Sequence, residues 1–149
     1  MAVTVGAICD GILETLATAV GVQSSTSYDE MTEGIATFDT PRLEAYPDAG
    51  TCDPSGSTDR TAFNAGVQQS VITIFANVLV RQRSQLDEDM GAVVTMVDAI
   101  IPVLEAQEKP PFFGVEGIKA YSWSWRVATF SRSKALYTGV RFTIKCKVF

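Results

Sequence analysis

Tyr121-Ser122-Trp123-Ser124-Trp125-Arg126-Val127-Ala128, followed after Ser131-Arg132-Ser133-Lys134 by Val140-Arg141-Phe142-Thr143-Ile144-Lys145-Cys146-Lys147-Val148, is the stretch that decides the fold. In both halves apolar residues recur at every second position. That period belongs to extended strands, whose side chains point alternately to the two faces of a sheet. The two halves and their polar turn therefore read as a long C-terminal β-hairpin with one oily and one basic face. Ten extended residues span roughly 33 Å, long for a small domain. The oily face has to be covered, and only upstream elements are available to cover it.

Two upstream segments have helical spacing. Val5, Ile8, Ile12, Leu16 and Val20 form a stripe over Val3–Val20, with Gly21 as a C-terminal stop. Over Asp87–Ala106, Met90, Val93, Val97, Ile100 and Leu104 repeat at three and four, and Val94 and Ile101 widen the stripe. Ser84 or Asp87 can cap this second helix, the acidic run Asp87-Glu88-Asp89 suits its positive dipole end, and Pro102 should kink or end it. At 1.5 Å per residue it extends about 27 Å, close to the reach of the hairpin.

Between the helices, Arg42–Tyr46 reads as a short strand, placed at a sheet edge by Pro41 and Pro47. The run Val71–Val80 is apolar on both sides, as a central strand would be. Before the short strand, 23–41 reads as a polar connection with apolar anchors at Tyr28, Met31, Ile35 and Phe38 and a helical turn near Tyr28–Glu33. Asp48–Arg60, with Asp53, Asp59 and Arg60, reads as a long surface loop, either ordered by assembly, disordered, or a ligand site. Lys109-Pro110-Pro111-Phe112-Phe113-Gly114 is a stiff connector whose two phenylalanines form either a lid over the core or a plug for a neighbouring subunit. The expected architecture is one α+β domain over 1–149: a mainly antiparallel four-stranded sheet flanked by two helices, with the long hairpin at its C-terminus.

Composition narrows the function. The chain has 149 residues, enough to bury a core without staples, and a formal charge of −5 argues against general affinity for nucleic acid. Its mean hydropathy of +0.15 leaves more apolar surface than a small monomer hides, so association with copies or partners is expected. No apolar run is long enough for a membrane span, and no cationic leader precedes the first helix. Cys9, Cys52 and Cys146 lie far apart with no paired spacing, which fits a reducing compartment and offers no thiolate metal set.

Histidine is absent, which removes imidazole bases, the usual nucleophile triads and His metal ligands. No glycine-rich phosphate loop is present. No catalytic, cofactor-binding or metal-binding residue is therefore assigned, and no enzyme activity is expected. Trp123 and Trp125 share one hairpin face as core or interface anchors, or less simply as a stacking platform. Arg126, Arg141, Lys145 and Lys147 belong to a final quarter without acids. They form either a solvated strand face or a surface for phosphates or an acidic partner subunit.

This order of elements resembles the tail terminator (tail completion) proteins of long-tailed bacteriophages, with the minor tail and neck proteins that share their α+β fold. The resemblance is carried by the N-terminal helix and the Tyr28 region, the Arg42–Tyr46 strand ending in a proline, and the hydrophilic loop. It continues through the Val71–Val80 strand, the Asp87–Ala106 helix and the wide hairpin ending at Lys145-Cys146-Lys147-Val148-Phe149, covering nearly the whole chain. It implies a structural virion protein of the tail or neck, made in the host cytoplasm. Copies would form a ring, typically a hexamer, that caps the tail-tube protein, ends tube polymerisation and meets head-completion or connector proteins. DNA would pass through the lumen without sequence-specific binding, and no membrane is involved. On this reading Arg126, Arg141, Lys145, Lys147, Asp53, Asp59, Arg60, Phe112 and Phe113 are candidate interface or lumen residues. The basic strand face would line the lumen or pair with acids of the adjacent subunit. Another neck, connector or tube subunit is the alternative, and a small-ligand-binding module a more distant one.

Overall fold

The computed structural model describes residues 3–29, 40–54, 68–132 and 134–148. Helix α1 (Val5–Leu16) leads into β1 (Ser24–Thr26), β2 (Arg42–Pro54) and β3 (Gln68–Gln82), then α2 (Leu86–Glu105), β4 (Ile118–Arg132) and β5 (Ala135–Val148). The strands form one sheet in the order β1-β2-β3-β5-β4. Every pairing is antiparallel except β1 with β2, which is parallel. The sheet is thus five-stranded and mixed, where the sequence pointed to four antiparallel strands. The missed strand, Ser24-Ser25-Thr26, is three polar residues with no apolar alternation to reveal it. It is held through the register Ser24 to Arg42, Ser25 to Leu43 and Thr26 to Glu44.

Two further boundaries differ. β2 runs on through Pro54, so Asp48–Pro54, read as loop, is strand paired as far as Gln68 of β3. The proline bracket is real but local: the register shifts between Pro47 and Ala49, a bulge that absorbs the missing N–H. Met31, Ile35, Phe38, Asp59 and Arg60 lie outside the described residues, as does the whole of 55–67.

Both helices pack on the same face of the sheet. α1 starts at Thr4, whose hydroxyl accepts a hydrogen bond from the Ala7 N–H at 3.1 Å. It buries Ile8, Cys9, Ile12, Leu13 and Leu16, whereas the ends of the expected stripe are exposed: Val5 as the first residue of the helix, and Val20 because the helix stops at Leu16. α2 buries Val93, Met96, Val97, Ile100 and Leu104, and Val94 faces outward instead of widening the stripe. Its N-cap is Gln85, without a side-chain hydrogen bond; neither Ser84 nor Asp87 caps it. The buried Asp89 serves instead, accepting from the Ser84 N–H at 3.0 Å and pairing with Arg81 at 3.1 Å. Pro102 sits inside the last turns without ending the helix.

Against these helices the sheet presents Leu43 and Ala45 of β2, Ile72, Ile74, Ala76 and Val78 of β3, and Val140, Phe142, Ile144, Cys146 and Val148 of β5. The hairpin alternation is obeyed: Tyr121, Trp123, Trp125 and Val127 pair with Cys146, Ile144, Phe142 and Val140. Cys9 and Cys146 are buried free thiols, and burial raises them to about 11 and about 12, each with a smaller push from a neighbouring charge (Asp10 on Cys9, Cys9 on Cys146).

The opposite face has no helix among the described residues. At the hairpin tip it closes on itself through a second cluster of Leu79, Phe130 and Tyr137. A bulge between Leu79 and Arg81 and the close approach of Gly139 allow this curl. A Cβ on Gly139 would lie 2.0 Å from the Val78 carbonyl oxygen and 3.1 Å from the Phe130 ring. Gly139→Ala should therefore destabilise the protein by about 3 kcal/mol, lowering Tm by about 6–12 °C. Gly91→Ala, on an open helix surface with nothing within 4 Å, should instead raise stability by about 0.5–1 kcal/mol. Thermal melts followed by circular dichroism check both.

The thiols give a second expectation. Unfolding returns them to ordinary acidity, so their burial stabilises the neutral form below about pH 9, and that contribution is lost as pH climbs towards 11 and 12. In a Cys52→Ser background, a thiol reagent at pH 8 should label native protein far more slowly than unfolded protein. Denaturant melts should show stability falling on the alkaline side.

Candidate interface on the open sheet face

Arg42, Glu44 and Tyr46 alternate with Leu43 and Ala45, so the apolar pair goes to the helices and the polar trio to the open face. On β3 the same face carries Phe75 and Asn77, and on β5 Arg141, Thr143, Lys145 and Lys147. β4 completes it with Arg126 opposite Arg141, Ser124 opposite Thr143 and Ser122 opposite Lys145.

The centre of this face is a closed network. The Arg141 guanidinium lies 4.3 Å from the centre of the Phe75 ring. Its Nε donates to Asn77 Oδ1 at 2.9 Å, and its Nη2 donates to the Tyr46 hydroxyl at 3.3 Å. Asn77, fully buried, donates through Nδ2 to the same hydroxyl at 2.8 Å, and Tyr46 meets Phe75 edge-on at 6.0 Å. Both polar atoms of the buried amide thus have a partner. Arg141 is thereby committed to the fold, although the sequence grouped it with the freely presented cations.

A second knot ties the hairpin tip to the far side of the sheet. Arg132 reaches the buried Glu44 through Nη2 at 2.6 Å and Nε at 3.4 Å, with Arg42 at 3.8 Å from the same carboxylate. In the strand order β3 and β5 separate β2 from β4, roughly 14 Å on a flat sheet at 4.8 Å per strand. The ion pair needs the curl that Gly139 permits. A forked guanidinium on a buried carboxylate costs much to break, because the charge left behind has no water.

What remains open is the row running from this network towards the hairpin's free ends. Arg126, Lys145 and Lys147 are exposed, with Ser122 and Ser124 beside them. Residues 117–149 contain no Asp or Glu. A depression of about 210 Å³ between Val71, Tyr121, Ser122, Lys145 and Lys147 lies in this row, and a cleft of about 400 Å³ at the hairpin edge includes Arg83, Leu86, Arg126, Val127 and Arg141. β4 is the outer strand, and its helix-side residues Trp125 and Val127 are 45% and 42% exposed; Trp123, nearer the helices, is half-buried.

The other candidates are scattered. Asp53 falls on β2, paired in register with Gln69, away from the basic row. Phe113 is buried in the main core, its backbone N–H donating to Gln107 Oε1 at 2.8 Å, and Phe112 is half-buried. Both rings pack on Tyr121, at 5.1 and 5.0 Å, and the Tyr121 hydroxyl donates to the Leu104 carbonyl at 2.6 Å. This is the lid geometry of the two readings. Burial, then the Glu105 charge, raises the Tyr121 phenol.

Tyr46, Asn77 and Glu44 were not singled out from the sequence. Asn77 carried a signal: one polar amide inside the apolar run Val71–Val80 needs a buried partner. No group of three or more metal-binding side chains occurs among the described residues, and no helix there is long and apolar enough to cross a membrane. Comparison with protein-family models and with curated proteins gives no match.

Glu44→Ala should destabilise by about 3–5 kcal/mol, more than Lys145→Ala, which removes an exposed cation and should stay within about 0.5 kcal/mol. Amide exchange should show the hairpin tip around Phe130 and Tyr137 losing protection first in Glu44→Ala.

Proposed function

We propose that this chain is a structural subunit that works by assembling with its neighbours, and that its assembly is the terminator ring of a long phage tail. The observation that carries the first part is β4. It is a fifteen-residue strand at the sheet edge, with two large apolar side chains exposed on one side and the exposed Arg126 on the other. Long edges bearing apolar side chains are aggregation sites unless something covers them, and in a homo-oligomer the next copy is the cover. The absence of histidine from the sequence directs the reading away from catalysis in the same way. The second part rests on the resemblance of the element order to tail terminators. On it, the ring, a hexamer, stops tube growth at one end and offers its other surface to the head-completion or connector protein. The same surfaces would serve another neck or tube subunit, which is the second reading.

Adding the purified protein to polymerising tail tubes separates these outcomes. A terminator caps the tubes, so mean tube length falls as protein is added; a tube subunit is incorporated along the length. Trp125→Asp combined with Val127→Asp, both at exposed positions, should keep the circular dichroism of the folded chain and lose capping. Tubes that grow without limit in the presence of folded wild-type protein remove the terminator assignment.

A further inference from the structure

The described helices and hairpin divide charge between the two layers. Neither α1 nor α2 contains a Lys or Arg, and together they carry Asp10, Glu14, Asp87, Glu88, Asp89, Asp98 and Glu105. The β4–β5 hairpin contains no acid and presents Arg126, Lys145 and Lys147 on the sheet face that the helices leave open. The outward stripe of α2 is Asp87, Gly91, Val94, Asp98, Pro102 and Glu105, all exposed. Three carboxylates there alternate with small or apolar residues, with no cation along the helix to satisfy them.

We infer that the open sheet face of one copy is covered by the acidic outer surface of the helix layer of a second copy, head to tail. The geometry fits. The exposed basic row from Arg126, level with Arg141, to Lys147 spans about 20 Å along the strands, and the carboxylates from Asp87 to Glu105 span about 27 Å along the helix. The half-buried Phe75 and Tyr46 beside the cations give the sheet face apolar area for Val94 and Pro102 to meet. Opposite faces of one two-layer plate cannot pair with themselves, so the contact is heterologous and repeats until a rotation closes it. Closure into a ring is what the proposed function requires, and this inference rests on that reading while naming the surfaces that make it.

Two charge reversals test it, with self-association followed by sedimentation velocity. Wild-type association should weaken by about tenfold between about 0.05 and about 0.5 M salt. Lys145→Glu with Lys147→Glu, and separately Asp98→Lys with Glu105→Lys, should each stay monomeric where the wild type associates. All four sites are exposed, so folding is retained, with circular dichroism as the check. An equimolar mixture of the two variants should re-associate, since every contact in it is again between opposite charges. Wild-type-like association of either variant, a mixture that stays monomeric, or a wild type that never self-associates overturns the inference. So does retardation of duplex DNA that Lys145→Glu with Lys147→Glu abolishes while self-association is unchanged, because the face then belongs to nucleic acid. Tube capping is scored separately: charge-dependent association without capping retains these surfaces and removes the terminator, and capping by a chain indifferent to the reversals does the opposite.

Discussion

Everything in this molecule depends on one apolar surface, made where β3 and β5 lie side by side. Ile72 beside Cys146, Ile74 beside Ile144, Ala76 beside Phe142 and Val78 beside Val140 make a continuous strip, and Ile74, Ala76, Val78, Val140, Phe142, Ile144 and Cys146 are completely buried. Cross-strand neighbours at this spacing stabilise one another, and a slip by one residue would turn the whole strip to the wrong side. Burying it requires α1 and α2 together on one face, which fixes where every other side chain of the sheet must point.

The opposite face solves a different problem. A strand pair as long as β4–β5 extends beyond the area the two helices can roof, and its tip must find cover elsewhere. It finds it by curling over its own sheet, with Leu79, Phe130 and Tyr137 forming a small second core. The side chain missing at Gly139 is what admits the curl, and Arg132 on Glu44 closes it. Buried charge of this kind adds little net stability over an apolar substitute, but it penalises alternative arrangements of the tip. The Arg141–Asn77–Tyr46 network extends the same specificity to the centre of the face.

Among the described residues the result is an acidic helical layer, a basic strand face and a long outer edge at β4 that no other strand pairs. Net charge understates this: residues 1–116 carry five cations and all seventeen acids, and residues 117–149 carry seven cations and no acid, which together make the −5 of the whole chain. Segregated charge steers encounters and sets orientation more than it adds affinity. A surface with such a field favours encounters in one orientation over others.

By itself the sequence determined what strictly periodic side chains can encode. Both helices, the long hairpin, the inner strand at Val71–Val80 and the division of the hairpin into an oily and a basic face were legible, because each is a run in which local spacing and burial agree. The Phe112–Phe113 lid was legible only as one of two options. Tertiary structure decided what depends on partners distant in the chain. The polar strand β1 exists through its parallel register with β2, and the continuation of β2 through Pro54 exists through β3. That Arg141 is bound while Lys145 and Lys147 are free follows from Asn77 and Tyr46, sixty-four and ninety-five residues away. Periodicity assigns a side chain to a face; only the curvature of the assembled sheet determines which residues across that face come close enough to hold it.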